Sequence, residues 1–347
     1  MKKIVLNSAI IIATSIVLVV LVFFTDGVQS LFELIVRTNY YWLFAAWMCN
    51  VMFWVFGAVC MGFLKRGIIG KKNDPGQNFK TVMVGQFFAS ITPFSTGGQP
   101  AQVYMMNRMG VDGGTGTSIV ILKSVLFQSV LVAYCLVLYF ANRFFLVMNI
   151  PKFNTLFIAG LVASFLLLGI YALFMFKSNA ADKTVQIFLR ILKFFKIIKN
   201  PDEKYHDIKE SLTRFKAGFK ILAKRKGFLL LAYLAQIVQL TSLFLVPVFM
   251  MRALEGMFMF TNELFVCTAM VVMIAAMVPT PGTTGGAEGL SLLFISPFFY
   301  NSPKMSVILI WRILTYYSNV LFGGIFCLFV KEKPLKSSKV EDELIEV

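Results

Sequence analysis

Residues 92–98 read Thr-Pro-Phe-Ser-Thr-Gly-Gly, and residues 280–286 read Thr-Pro-Gly-Thr-Thr-Gly-Gly. The shared pattern, T-P-x-[ST]-T-G-G, holds at six of seven positions by identity or Ser/Thr exchange. A lone Thr-Pro or Gly-Gly is noise. Two copies of the whole pattern point to internal duplication. Each copy interrupts an apolar stretch, 79–109 in the first case and 263–300 in the second. Inside a bilayer every backbone polar group must be satisfied within protein, so such breaks survive only in a protein interior or beside a watery cavity. The two stretches therefore predict re-entrant hairpins: a half-helix in, a Gly-rich tip, a half-helix out.

The chain around them is apolar. Of 347 residues, 58% are hydrophobic and 14% charged, and the mean hydropathy is +0.77. A soluble domain runs at about 45–50% apolar and about 25% charged, so an ordinary soluble enzyme is excluded, as is a disordered chain. A spanning helix needs about 20 mostly apolar residues. Six segments supply them: 4–24, 40–64, 118–141, 154–176, 227–250 and 305–330. The first follows Met1-Lys2-Lys3 and is too long for a signal-peptide core. The expected fold is an all-α polytopic membrane protein, with about six full spans and two hairpins within residues 1–330.

Charge fixes the expected orientation. The formal net charge is +16. With the N-terminus inside, 26 of the 33 Lys+Arg fall on cytoplasmic segments, five fall outside, and Lys123 and Arg312 lie within spans. That asymmetry fits the positive-inside rule and puts both termini in the cytoplasm. Three spans separate the hairpins, and an odd number reverses the side from which each is entered. The duplication is thus expected to be an inverted repeat, the architecture of many secondary transporters. Because the basic residues flank membrane segments, no nucleic-acid partner is expected. In the linker 177–226, Ile187, Ile191, Phe194, Phe195 and Ile198 share one face, flanked by Arg190, Lys193, Lys196 and Lys199. This reads as a basic amphipathic helix in the headgroup layer. The tail 331–347 is polar.

The tips carry the chemistry. Pro93 and Pro281 end the incoming half-helices, and Gly97, Gly98, Gly285 and Gly286 permit tight backbone approach. The outgoing half-helix then presents free N–H groups at mid-membrane. With the hydroxyls of Thr92, Ser95, Thr96, Thr280, Thr283 and Thr284, this predicts an anion site suited to phosphate or carboxylate. Lys123 and Arg312 are cations within spans, where each costs roughly 2.5–3.5 kcal/mol on insertion scales unless paired or hydrated. Lys123 is near enough to its helix start to snorkel. Glu288, just past the second Gly-Gly, is positioned either to pair with Arg312 or to handle a cationic head group or proton. The first repeat has Gln99 and Pro100 at the matching place. Cys49, Cys60, Cys135, Cys267 and Cys327 read as small buried hydrophobes. The single histidine, His206, lies in the charged linker. No catalytic residue, metal or cofactor is expected.

At Thr92–Tyr104, Pro279–Glu288 and Trp311–Tyr317 the chain resembles the membrane region of the lysylphosphatidylglycerol synthase/flippase family, the multiple peptide resistance factor type. The resemblance runs from the first helix to about residue 330, with a departure at Gln102, where many members carry a basic residue. It implies a bacterial plasma-membrane protein that translocates an anionic or aminoacylated phospholipid, with resistance to cationic antimicrobial peptides as the outcome. It also implies a partnership with a separate cytosolic synthase, since the tail leaves no room for the tRNA-dependent transferase domain. Three other readings stay open: lysyl transfer to phosphatidylglycerol, after the family's name; a non-transporting membrane scaffold for a separately encoded synthase; and transport of a polyprenyl-phosphate carrier.

Overall fold

The computed structural model describes residues 28–70, 74–176 and 217–328. The first expected span, the 184–199 helix and the tail lie outside the described residues. The described part is an all-α polytopic membrane protein. In chain order its helices are α1 (Val28–Arg37), α2 (Tyr40–Ile69), α3 (Pro75–Ser90), α4 (Gly98–Arg108), α5 (Gly113–Asn149), α6 (Phe153–Phe176) and α7 (Lys226–Glu255). They continue with α8 (Thr261–Ala275), α9 (Gly286–Phe294), a 3-10 turn (Ser296–Phe298), α10 (Lys304–Arg312), a π-helical turn (Ile313–Tyr317) and α11 (Ser318–Leu328). Five of these segments are long and apolar enough to cross a membrane: α2, α5, α6, α7 and the continuous α10–π–α11 rod.

Local sequence explains most boundaries. Asn39 caps α2 by accepting from the N–H groups of Tyr41 (3.1 Å) and Trp42 (3.4 Å). Gly70 ends that helix in the left-handed conformation. Asp74 caps α3, which starts on Pro75, and Asp112 caps α5 through the Thr115 N–H. Removing such a cap typically costs about 1 kcal/mol. We expect Asn39→Ala to lower stability by about that amount, read as a small fall in the melting temperature of the detergent-solubilised chain. The expected span 118–141 begins earlier and runs on to Asn149, past a break at Asn142. There the Asn142 side chain accepts from Asn262 Nδ2 at 2.6 Å. Beyond the break Phe144, Val147 and Met148 are exposed.

The fold is organised by an antiparallel central pair. Helices α2 and α7, 30 residues each, pack along their whole lengths. Asn39 N–H donates to Ala253 O at 2.9 Å at one end. Arg225 Nη1 donates to Gly67 O at 3.3 Å at the other. Midway, Gly57 leaves room for the Gln239 side chain. Since the first hairpin (α3–α4) follows α2 and the second (α8–α9) follows α7, the two enter from opposite ends of the molecule. The end holding Lys65, Arg66, Arg108 and Lys224–Lys226 is the basic end. At the far end the Glu255 carboxylate accepts from Asn301 Nδ2 (2.8 Å) and Ser302 Oγ (2.6 Å).

Each half is therefore helix, broken hairpin, helix: α2, α3–α4, α5, and then α7, α8–α9, α10–π–α11. Helix α6 stands between them. The halves interlock, because α3 packs on α11 of the second half and α8 packs on α5 of the first. Helix α6 lies at the rim, with Ile158, Phe165, Leu166 and Ile170 exposed. Wide apolar exposure on a spanning helix marks the surface that lipid covers.

Candidate functional site

The two Gly-Gly tips meet. Pro93 and Pro281 form an isolated antiparallel backbone bridge, which makes a seam between the hairpins. The duplication extends to backbone geometry. Phe94 and Ser95 have φ of 52° and 56°, and Gly282 and Thr283 both have φ of 57°. The turn hydrogen bonds repeat as well. Ser95 N–H reaches Thr92 O at 3.1 Å and Thr283 N–H reaches Thr280 O at 3.1 Å. Two consecutive left-handed residues turn each chain back before its second half-helix begins.

The hydroxyls do something other than expected. Thr92 donates to Phe88 O (2.7 Å) and accepts from Gly97 N–H (2.8 Å). Thr96 donates to Pro93 O and Thr284 to Pro281 O, at 2.9 and 2.5 Å. Thr280 donates to Thr284 O and Thr283 to Gly282 O, at 2.6 and 2.7 Å. These groups satisfy turn carbonyls that a buried break would otherwise leave unpaired. Ser95 is exposed at the first tip. Gly98 opens α4 against the Gly85 carbonyl, which a Cβ would meet at 2.9 Å. Gly286 opens α9. The Gly285 N–H at its start is taken by Glu288 Oε2 at 2.6 Å.

Arg312 and Glu288 come together beside the seam. Arg312 Nε lies 2.9 Å from Glu288 Oε1, with side-chain exposures of 5% and 14%. The contact is ionic, set at an angle outside hydrogen-bond geometry, and neither atom has another partner among the described residues. Arg312 also donates to Gly282 O at 3.2 Å. Its guanidinium sits 4.1 Å from the centroid of the Tyr316 ring. Such stacking is worth about 2 kcal/mol or more where desolvated.

Tyr316 is the residue that sequence reading missed. Its ring fills the space above Gly282, where a Cβ would fall 2.0 Å from Cε2. Its hydroxyl donates to Ser90 O, at the end of α3, at 3.3 Å. Tyr316 thus clamps both hairpins from one side. The i, i+4 spacing from Arg312 was the available signal, since residues at that spacing share a helix face. The π turn at 313–317 sets the local register, and such turns are frequent at functional sites.

Lys123 lies apart from this cluster. It is 8% exposed, buried rather than snorkelling. Its neighbour across the helix interface is Cys60 of α2. Gln102 is also buried and packs over Gly85. In the first half the position that aligns with Glu288 is Pro100, and a neutral tie forms one residue earlier. Gln99 Nε2 donates to Ser124 Oγ and to the Tyr171 hydroxyl, each at 3.0 Å. Each outgoing half-helix is thus tied through a side chain of its first turn, by an ion pair in the second repeat and by a neutral amide in the first.

Comparison with known proteins agrees with this architecture. Residues 7–323 match the family described as the lysylphosphatidylglycerol synthase TM region. A "UPF0104 membrane protein" of Archaeoglobus fulgidus is 28% identical over 344 residues, covering 96% of this chain and 99% of that protein. No solved structure matches. A match that spans both hairpins and the rod carrying Arg312 shows that the chain belongs to the lysylphosphatidylglycerol synthase transmembrane-region family.

Proposed function

We propose that the protein is a flippase-like transporter that carries the head group of an anionic or aminoacylated phospholipid across the cell membrane. The observation that carries this reading is the buried Glu288–Arg312 pair beside a seam of two oppositely entered hairpins. Discontinuous helices meeting at mid-membrane are where transporters of inverted topology bind substrate. Separating a buried pair strands both charges at high cost. A head group that brings its own phosphate and ammonium avoids that cost, because the phosphate replaces Glu288 at Arg312 and the ammonium replaces Arg312 at Glu288. An aminoacylated lipid has both groups; a simple anionic lipid supplies only the first. Export of the aminoacylated lipid would leave the outer leaflet less negative and less attractive to cationic peptides.

The test is lipid movement by the purified full chain in proteoliposomes. Fluorescent phosphatidylglycerol and its lysyl derivative are each placed in both leaflets, and a membrane-impermeant reductant is added outside. Protein-dependent bleaching of the inner-leaflet pool is expected, faster for the lysyl lipid. Loss of only the outer-leaflet signal with both lipids would reject the proposal.

A further inference from the structure

The two members of the Glu288–Arg312 pair are held unequally. Arg312 has further partners in the Gly282 carbonyl and the face of the Tyr316 ring. Its side chain is 5% exposed, against 14% for Glu288. Glu288 also accepts from the Gly285 N–H. The glycines beside it leave its flank open, since nothing lies within 4 Å of a Cβ added at Gly285 or Gly289. Both glycines are exposed, and so is Leu292. At i, i+4 and i+7 these three residues form a stripe that runs along α9 away from the tip. The carboxylate is therefore the member of the pair that can be reached from the surface.

Few other ionisable groups face it. On the rod, Arg312 and Tyr316 lie within electrostatic reach of Glu288, and Tyr317 packs edge-on against Tyr316. Lys304 opens α10, two turns before Arg312. Helix α8 carries Glu263 and Cys267, both in its first two turns and away from the tip. The first tip, residues 92–98, contains no ionisable side chain. Among the described residues Glu288 is thus the one carboxyl at the seam.

The resting pair sums to zero charge. In the exchange proposed above, a head-group phosphate takes the place of Glu288 at Arg312. An aminoacylated lipid then offers Glu288 an ammonium. A simple anionic lipid offers none, and a carboxylate left in an apolar site without a counter-ion neutralises by taking up a proton. The tip geometry suits that step. A proton on Oε1 breaks the contact with Arg312, while Oε2 still accepts from the Gly285 N–H, so the cap of α9 survives. We propose that Glu288 is a proton site, and that the protein moves a simple anionic phospholipid together with one proton in the same direction. The bond formed is Oε1–H. The proton comes from water on the side where the lipid enters and returns to water on the side where it leaves. This rests on the transport reading and names its coupling ion. The aminoacylated lipid moves without the proton.

The full chain is reconstituted in phosphatidylcholine vesicles carrying fluorescent phosphatidylglycerol or its lysyl derivative. The lumen is made more acid than the bath, and valinomycin with equal potassium on both sides holds the membrane potential at zero. The outer-leaflet share is read with the impermeant reductant, against protein-free vesicles. One proton per lipid makes the leaflet ratio follow the proton ratio, about tenfold for a difference of one pH unit. We expect phosphatidylglycerol to gather in the outer leaflet toward that ratio and the lysyl lipid to stay evenly spread. Phosphatidylglycerol that crosses but stays evenly spread would overturn the proposal and leave transport standing. Glu288→Gln should abolish the accumulation, and its persistence in that variant would overturn the assignment. Should the variant not fold or not move lipid, a hydrophobic carbodiimide, which couples to protonated carboxyl groups, is applied to the native chain. Mass spectrometry gives the adduct at Glu288 relative to that at the exposed Glu33. Phosphatidylglycerol should raise this ratio severalfold over phosphatidylcholine alone, and the lysyl lipid should not. An unchanged ratio would overturn the proposal. A raised ratio with no movement of either lipid would reject the transport reading and leave the proton site standing.

Discussion

Glu288→Gln is expected to cost about 3–5 kcal/mol of stability, the usual penalty for stranding one partner of a buried ion pair. Arg312 is 4% exposed, so solvent cannot compensate its charge. The stacked Tyr316 ring and the Gly282 carbonyl offer only partial replacement. Arg312→Ala should cost less, because Glu288 is more exposed and a carboxylate can take up a proton. The double variant Glu288→Gln/Arg312→Met should recover most of the loss, since a well-packed neutral pair is often as stable as a buried ionic one. Thermal melts in detergent measure all three. Transport distinguishes the pair's two roles. If it only holds the fold together, the stable double variant moves lipid. We expect the double variant to be stable and inactive, because neither charge remains to be exchanged with the head group.

Gly282→Ala should be nearly as damaging for a different reason. The Gly282 φ of 57° suggests a backbone explanation. The first tip argues against it, since Phe94 adopts φ of 52° at the equivalent position. The larger effect is steric: an added Cβ would overlap the Tyr316 ring. Overpacking typically costs about 1–3 kcal/mol, and the left-handed backbone adds about 1–2 kcal/mol for a residue with a Cβ. Gly282→Ala/Tyr316→Leu should therefore be more stable than the sum of its single variants predicts, by about 0.5–3 kcal/mol, the range for residues in direct contact. Gly285→Ala is the control. Its φ is 86°, but nothing stands within 4 Å of the added Cβ. It should show the backbone cost alone, with no rescue by Tyr316→Leu.

What the sequence made legible was local or periodic. Apolar length located the five described spans, and the Thr-Pro and Gly-Gly punctuation located both tips. The meeting of Glu288 and Arg312 was one of two roles open to that carboxylate. What stayed hidden depends on tertiary placement. Nothing local to Gly282 announces a ring from Tyr316, and nothing near Gln99 announces Ser124 or Tyr171. The tip hydroxyls illustrate a competition that sequence could not decide. Thr and Ser beside a helix start can serve a ligand or the turn itself. Here Thr92, Thr96, Thr280, Thr283 and Thr284 serve the turn. The break at Asn142 falls just past the expected span 118–141, and the apolar pattern did not show that helix resumes beyond it to Asn149.

The contact between Tyr316 and Ser90 joins residues 226 positions apart, and that distance matters while the protein is being made. The first hairpin reaches the membrane long before the rod that clamps it has been synthesised. Until then its tip lies in lipid without the second tip or the tyrosine beside it, a setting in which unpaired backbone groups are costly. Biogenesis must therefore either delay the first hairpin at the membrane surface or shelter it until the second half arrives. A chain halted after α6 should be a substrate for membrane quality control rather than a stable half-protein.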